Sequence, residues 1–311
     1  MSVTVVGSIA FDSVKTPFGE RERMLGGSAT HFSLAASFFS DVRVVGPVGD
    51  DFGPDEFGVL EGRGVDTSDI ERIEGGKTFF WQGHYDFDVN VAHTDDTQLN
   101  VFADFQPKLS DQSKESDVLF LANIQPDLQL EVRRQCEAAK FVALDSMNLW
   151  IETAADSLRA VISEVDCVLI NDAEIRQLTN QSNLLKAARA VMALGPRAVV
   201  AKRGEYGAAL FTEGGFFAIP GYPLEDIADP TGAGDSFAGG FIGYLDMHGP
   251  DEVDDAMLRQ AMAYGSVMAS FNVESFGTER VRGLTKDEIS ERFAAFRGIS
   301  QFEDAPVEVR A

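Results

Sequence analysis

The sequence predicts an α/β fold in which a central, mostly parallel sheet is covered by helices on both faces and carries a small β-sheet lid. Three observations predict it. Short, dense apolar runs alternate with segments whose apolar residues recur at helical spacing, the pattern of a sheet buried on both sides. One region, residues 78–105, departs from this and has the two-residue period of a half-buried antiparallel sheet. The 311 residues, 44% of them apolar, suffice for one large core with an accessory element, so a single domain over 1–311 is expected.

Taken in order, the strand-like runs are residues 3–6, 42–45, 118–121, 141–144, 167–170 and 198–201. Residues 28–39, 128–139, 153–162 and 184–194 carry the helical spacing between them. No run approaches the roughly 18 apolar residues of a membrane span. The opening Val3-Thr4-Val5-Val6-Gly7 reads as a buried strand, not as a secretion signal. Cys136 and Cys167 give neither a disulfide framework nor a zinc pattern, so a reducing cytoplasm is the expected location and core filling their expected use. The net charge of −24 argues against nucleic acid, which needs a basic face, and no membrane partner is expected. An anionic nucleotide can then bind only at a locally prepared site. Residues 300–311 are polar and read as loosely attached.

Within 78–105, Phe79, Trp81, Tyr85, Phe87, Val89 and Val91 fall on one face, with Gln82, His84, Asp86, Asp88 and Asn90 on the other. After a turn at 92–96 the alternation is expected to resume, with Leu99, Val101, Ala103 and Phe105 on one side. Residues 13–24, turning at Pro17-Phe18-Gly19, are expected to add strands, so that the lid comprises about 12–24 and 77–106. So small a sheet is not stable alone in water. Its apolar face must cover a cleft or the matching sheet of a second subunit.

The chemistry concentrates in Asp229-Pro230-Thr231-Gly232-Ala233-Gly234-Asp235-Ser236, a tight turn emptying into a helix that carries Phe237, Phe241, Ile242 and Leu245 at helical spacing. Gly239, Gly240 and Gly243 let that helix lie close to its neighbours. A glycine turn at a helix start offers unpaired N–H groups and the positive end of the helix dipole. That is a seat for a phosphate, or for charge developing on one during transfer. Asp235 stands beside it, where a carboxylate can accept a proton. The structural alternative is a glycine loop that Asp235 merely caps. Three look-alikes fall away: Gly75-Gly76-Lys77-Thr78 has Glu71 where a Walker loop needs glycine, Asp86-x-Asp88-x-Asn90 has Val91 where a calcium loop needs it, and Gly232-x-Gly234 is followed by Phe237 where a dinucleotide fingerprint needs its third.

The run 229–241 resembles the C-terminal signature of the PfkB, or ribokinase-like, carbohydrate kinase family, and further marks follow the family's order over nearly the whole chain. The resemblance implies a ribokinase-like fold, Asp235 as general base, and the amides of Gly232, Ala233 and Gly234 as an anion hole. Gly7-Ser8-Ile9-Ala10-Phe11-Asp12 looks like the family's first strand ending in a substrate-binding aspartate, Asp12. Gly26-Gly27-Ser28-Ala29-Thr30-His31 resembles the motif that brings backbone close to the sugar. His31, where many members have asparagine, is then a substrate contact. Asn171-Asp172-Ala173-Glu174 matches the Asn-x-x-Glu motif, in which Asn171 and Glu174 hold magnesium, mostly through water, at the nucleotide phosphates. A plain N-cap with a capping box is the structural alternative there. Residues 201–208 resemble the turn beside those phosphates, placing Lys202, Gly204 and Gly207 at the cofactor, with Lys202 and Arg203 able to offset phosphate charge. Residues 262–273 look like the adenine-side wall, and Asp229 and Thr231 correspond to positions near a monovalent-cation (potassium) site in several members.

The implied function is transfer of the γ-phosphate of ATP, with Mg2+, to a hydroxyl of a sugar or sugar derivative. A nucleoside kinase of the same superfamily is the alternative, since Phe79, Trp81 and Tyr85 can stack on a base. A sugar-sensing protein without turnover is a third, against which the intact Gly-x-Gly-Asp and Asn-x-x-Glu speak. In some members the lid also joins two subunits, so a homodimer through the lid is expected. Residues 145–150 partly resemble a segment of ketogluconokinases and fructokinases, without the arginine expected nearby.

Overall fold

Each continuous apolar run divides its side chains between the two faces of one sheet. In the computed structural model, which describes residues 2–301, the elements in chain order are β1 (Ser2–Val6), β2 (Ala10–Thr16), β3 (Gly19–Gly26), α1 (Ser28–Ala36), β4 (Asp41–Val48), α2 (Pro54–Glu61), β5 (Ile70–Arg72), β6 (Phe79–Tyr85), β7 (Ala92–Gln98), α3 (Asp111–Lys114) and β8 (Val118–Leu121). They continue with α4 (Pro126–Gln135), β9 (Phe141–Leu144), α5 (Asn148–Thr153), α6 (Ala155–Ile162), β10 (Cys167–Asn171), α7 (Asp172–Thr179), α8 (Leu184–Met192), β11 (Ala198–Lys202), β12 (Ala208–Thr212) and β13 (Gly215–Ile219). The chain closes with α9 (Ala233–His248), α10 (Asp255–Asn272), α11 (Glu279–Arg282) and α12 (Lys286–Ile299). Most of the polar stretch 300–311 lies outside the described residues.

The large sheet runs β13-β12-β11-β10-β9-β8-β1-β4-β5, parallel from β11 to β5, with β12 and β13 added antiparallel at one edge. Val118 and Phe120 pack into one core with α1, α9 and α10, while Leu119 and Leu121 pack into the other with α4, α6, α7 and α8. This is why the central strands β8 and β9 are apolar throughout, whereas the edge strand β5 carries Glu71 and Arg72. α9 lies pressed between α1 and α10. A Cβ on Gly239 would come within 2.4 Å of Phe32 O, and one on Gly240 within 2.7 Å of Tyr264 O, so both must be glycine.

The second sheet, β3-β2-β6-β7, is the lid. Its first hairpin turns at Pro17-Phe18 as expected. Its second differs: the expected turn at 92–96 is the strand β7, the actual turn is 86–91, and Asn100–Phe102 forms a 3-10 turn where the strand was expected to resume. The cause is local. Asp88 Oδ1 accepts from Asn90 N (3.1 Å) and Nδ2 (2.9 Å), an Asx turn that reverses the chain early. Phe87 and Val91, expected on the apolar face, sit in that turn and are exposed. Asp12 also differs in place: the chain bends at residues 7–9 after β1, and Asp12 lies inside β2, at a bulge against β3. No helix among the described residues is long and apolar enough to cross a membrane.

Candidate active site

Three parallel strands end side by side and each delivers a polar group. Asp145 follows β9, Asn171 ends β10 and Lys202 ends β11, with Asn171 and Lys202 opposite each other in register. Lys202 Nζ meets Asp145 Oδ2 at 2.6 Å, both side chains largely buried. Burial works against the ammonium, yet Asp145, Asp235 and Glu174 outweigh it and raise its pKa. Lys202 thus sits among three carboxylates. Sequence alone had attached no site role to Asp145.

Asn171 and Glu174 form the reciprocal cap of α7: Asn171 Oδ1 accepts from Glu174 N, and Glu174 Oε2 from Asn171 N, both at 2.8 Å. One Glu174 oxygen remains. Burial, then the charge of Asp145, pushes its carboxyl up to about 7. A carboxylate so short of compensating charge fits a hard cation. Among the described residues no cluster of three or more acidic, His or Cys ligands exists, so any such ion takes most of its ligands from water and phosphate.

α9, like the α1 on which it packs, begins at a positive-φ glycine without a side-chain cap. Side chains of Asn171, Asn183, Asp254 and Thr285 cap α7, α8, α10 and α12, whereas Gly232 starts α9 with a φ of 77° and no side-chain cap. Among the described residues no carbonyl accepts from the N–H of Gly232 or Gly234. Ala233 N is bonded to Pro230 O at 3.2 Å, so two of the three expected amides are open. The Lys202 ammonium lies 3.1 Å from where a Gly234 Cβ would stand. Asp235, half-buried in the first turn of α9, has its carboxyl pushed up to about 7 by burial and then by Asp145, with Lys202 and its own N–H acting the other way.

Asp12 faces the same region from the lid. Burial, then Asp229, then more weakly Asp235 push it up to about 7, while the Gly27 N–H lowers it. Its carboxylate stands where a Gly26 Cβ would be, 1.9 Å away, and Gly27 (φ 95°) packs on Ser8 O. The two glycines therefore seat Asp12 and the β1–β2 bend. Trp81 pairs with Asp12 across β2 and β6 and so shares its face, its ring folded over Gly83 and its Nε1 donating to Thr94 Oγ1 (3.1 Å). Tyr85 OH lies 3.2 Å from Thr231 Oγ1, joining lid to glycine loop.

His31 was expected to touch substrate. It is 2% exposed, its Nδ1 3.0 Å from Asn272 Oδ1, and burial holds its pKa down at about 4. Gly204 and Gly207 owe their identity to the chain itself: a Cβ on Gly204 would meet Asn90 of the lid turn, and one on Gly207 would meet Ile219 O. Asp229 is fully buried, its oxygens accepting from Thr231 N (2.9 Å) and Gly277 N (3.1 Å).

Open amides at a helix mouth, a neighbouring half-buried carboxyl and a buried lysine define the equipment of a phosphoryl-transfer enzyme. The model of the pfkB family carbohydrate kinases matches residues 3–282, and the chain belongs to that family. A cytidine kinase of Thermococcus kodakarensis is 30% identical over 78% of this chain and 87% of its own length. An ATP-dependent ribose-1-phosphate kinase of Halopiger xanaduensis is 29% identical over 70% and 72%. Among solved structures, Burkholderia thailandensis nucleoside kinase in complex with inosine superposes with a TM-score of 0.78 at 20% identity, covering 95% of this chain and 98% of its own. A ribokinase II of E. coli in complex with ATP and Mg2+ gives 0.75 at 19%, covering 96% and 99%. The protein is an ATP-dependent sugar or nucleoside kinase of the ribokinase fold.

Proposed function

We propose that this kinase phosphorylates a nucleoside, with Asp235 as general base. One observation carries the acceptor class: Trp81, a flat and partly exposed ring, lies on the same lid face as Asp12, so that a base can stack where a hydroxyl-binding carboxylate meets the ribose. The 30% identity to a cytidine kinase supports the same choice. Asp235 takes the proton of the acceptor hydroxyl as its oxygen bonds to the γ-phosphorus, and the bond from that phosphorus to the bridging oxygen breaks to leave ADP. The Gly232 and Gly234 amides stabilise the charge on the transferring oxygens. Lys202, held by Asp145, adds positive charge at the same end of the strands. Asn171 and Glu174 would hold Mg2+, which would neutralise phosphate charge. The lid excludes water as a competing acceptor.

The test is ATP consumption on a panel of a pyrimidine nucleoside, a purine nucleoside, free ribose and a hexose. Nucleosides should give the highest kcat/KM. Equal or better turnover of the free sugars refutes the choice. A cytoplasmic location, and a single domain of which the lid is part, complete the proposal. The buried Asp229 with Thr231 is the proposed potassium site, tested by exchanging potassium for tetramethylammonium. A homodimer through the lid is proposed too. The side of the sheet away from Asp12 carries Ser13, Lys15, Gln82, His84 and Asp96, so a polar contact is expected, and sedimentation at graded concentration tests it.

A further inference from the structure

Asn272, fully buried at the end of α10, uses both ends of its amide on the glycine loop and its surroundings. Its Nδ2 donates to Thr231 O at 2.7 Å. Its Oδ1 accepts from Ser236 Oγ at 3.0 Å and stands 3.0 Å from His31 Nδ1. An amide oxygen only accepts, so His31 carries its proton on Nδ1. Among the described residues, His31 Nε2 is buried without a partner. The imidazole lies directly behind Gly232, where a Cβ would come within 2.4 Å of the ring. Side chains from α1 and α10 thus converge on Thr231 and on Gly232, which carries one of the open amides, with Ser236 of α9 bracing Asn272.

We propose that His31 and Asn272 are positioning residues for phosphoryl transfer: one walls Gly232 from behind, the other ties Thr231 down. Together they aim the Gly232 and Gly234 N–H groups at the transferring oxygens. The proposal rests on the anion seat assigned above. Donors fixed before the reaction cost no reorganisation when charge develops, and a displacement of about 1 Å can cost about 10²-fold in rate. Such a pair acts on the transition state and not on the binding of either substrate.

Two variants test it. Asn272→Asp keeps size and the Oδ1 acceptor but loses the donor to Thr231. His31→Asn keeps a donor near Nδ1 but removes the ring behind Gly232. Each should lower kcat by about 10²-fold with KM for both substrates within about threefold of the parent. Calorimetry gives a second readout. Affinity for ADP with aluminium fluoride and the acceptor should fall by about the same factor, while affinity for ADP alone stays unchanged. Parent kcat in both variants overturns the proposal. So does equal loss of affinity for ADP alone and for the fluoride complex together with a lowered unfolding temperature, which marks a structural role only. Asp235→Asn separates the layers. If it is inactive while the two variants run at the parent rate, only the positioning role fails; if it too runs at the parent rate, the reaction is not centred at this helix mouth and the proposal falls with that reading.

Discussion

Replacing Asp235 by Asn should stop the reaction and leave the fold intact. Burial and the charge of Asp145 push this carboxyl up to about 7, against the opposing pull of Lys202. A base of that pKa is about one-tenth ionised at pH 6 and nine-tenths at pH 8, so kcat/KM for the acceptor should rise about tenfold across that interval and then level. Loss of a general base costs about 10²–10⁴-fold, or about 3–5 kcal/mol at 1.36 kcal/mol per decade. Asp12 and Glu174 also lie at about 7, so the limb needs assigning. Asp12→Asn should raise the acceptor KM and keep the limb, whereas Asp235→Asn should leave a residual rate flat in pH. The raised pKa has a further consequence for stability. The folded state holds this proton more tightly than the unfolded one, so the stabilisation is present below the ordinary value of 3.8 and is lost as pH rises through about 7. At pH 8 Asp235→Asn should therefore melt higher than the parent, by about 2 °C or more. Turnover of Asp235→Asn within threefold of the parent, or an acid limb lying wholly below pH 5, would refute the reasoning.

Lys202→Met strands the buried Asp145 carboxylate and should cost about 3–5 kcal/mol in urea unfolding, part of which Asp145→Asn in the same chain restores. Gly27→Ala forces a Cβ to within 2.4 Å of Ser8 O at a φ of 95° and should destabilise by about 1–3 kcal/mol or more, seen as a lowered melting temperature. Trp81→Ala removes a stacking surface of about 1–3 kcal/mol, so nucleoside KM should rise about 5- to 150-fold while that for free ribose barely moves. Glu174→Gln should raise the Mg2+ concentration needed for half-maximal rate, measured by titrating the metal at fixed ATP.

The central parallel strands were legible because burial on both faces leaves few polar residues to blur them: Val118, Leu119, Phe120 and Leu121 belong to two cores yet form one apolar run, whereas the edge strand β5, with Glu71 and Arg72, was not. The glycine turn of α9 was legible because its residues serve backbone geometry that few others allow. β7 was not. All seven of its residues are exposed, so no apolar period marks it, and its place comes from pairing with β6. The Lys202–Asp145 pair spans 57 residues and the Asn272–Thr231 bond 41, separations at which spacing carries no signal. His31 looked like a contact in its motif. Its packing against Gly232 and Asn272 joins residues far apart in the chain, which spacing does not reveal.

The Asx turn at Asp88–Asn90 does more than shorten a hairpin. Asn90 Nδ2 reaches Glu205 Oε1, and Glu205 N returns to Asn90 Oδ1, both at 3.2 Å. The flap that begins above Asp12 therefore comes to rest on the opposite bank, beside the strand end that carries Lys202. The hairpin tip is thus tied to the strand end by exposed polar bonds, which cost little to make or to break.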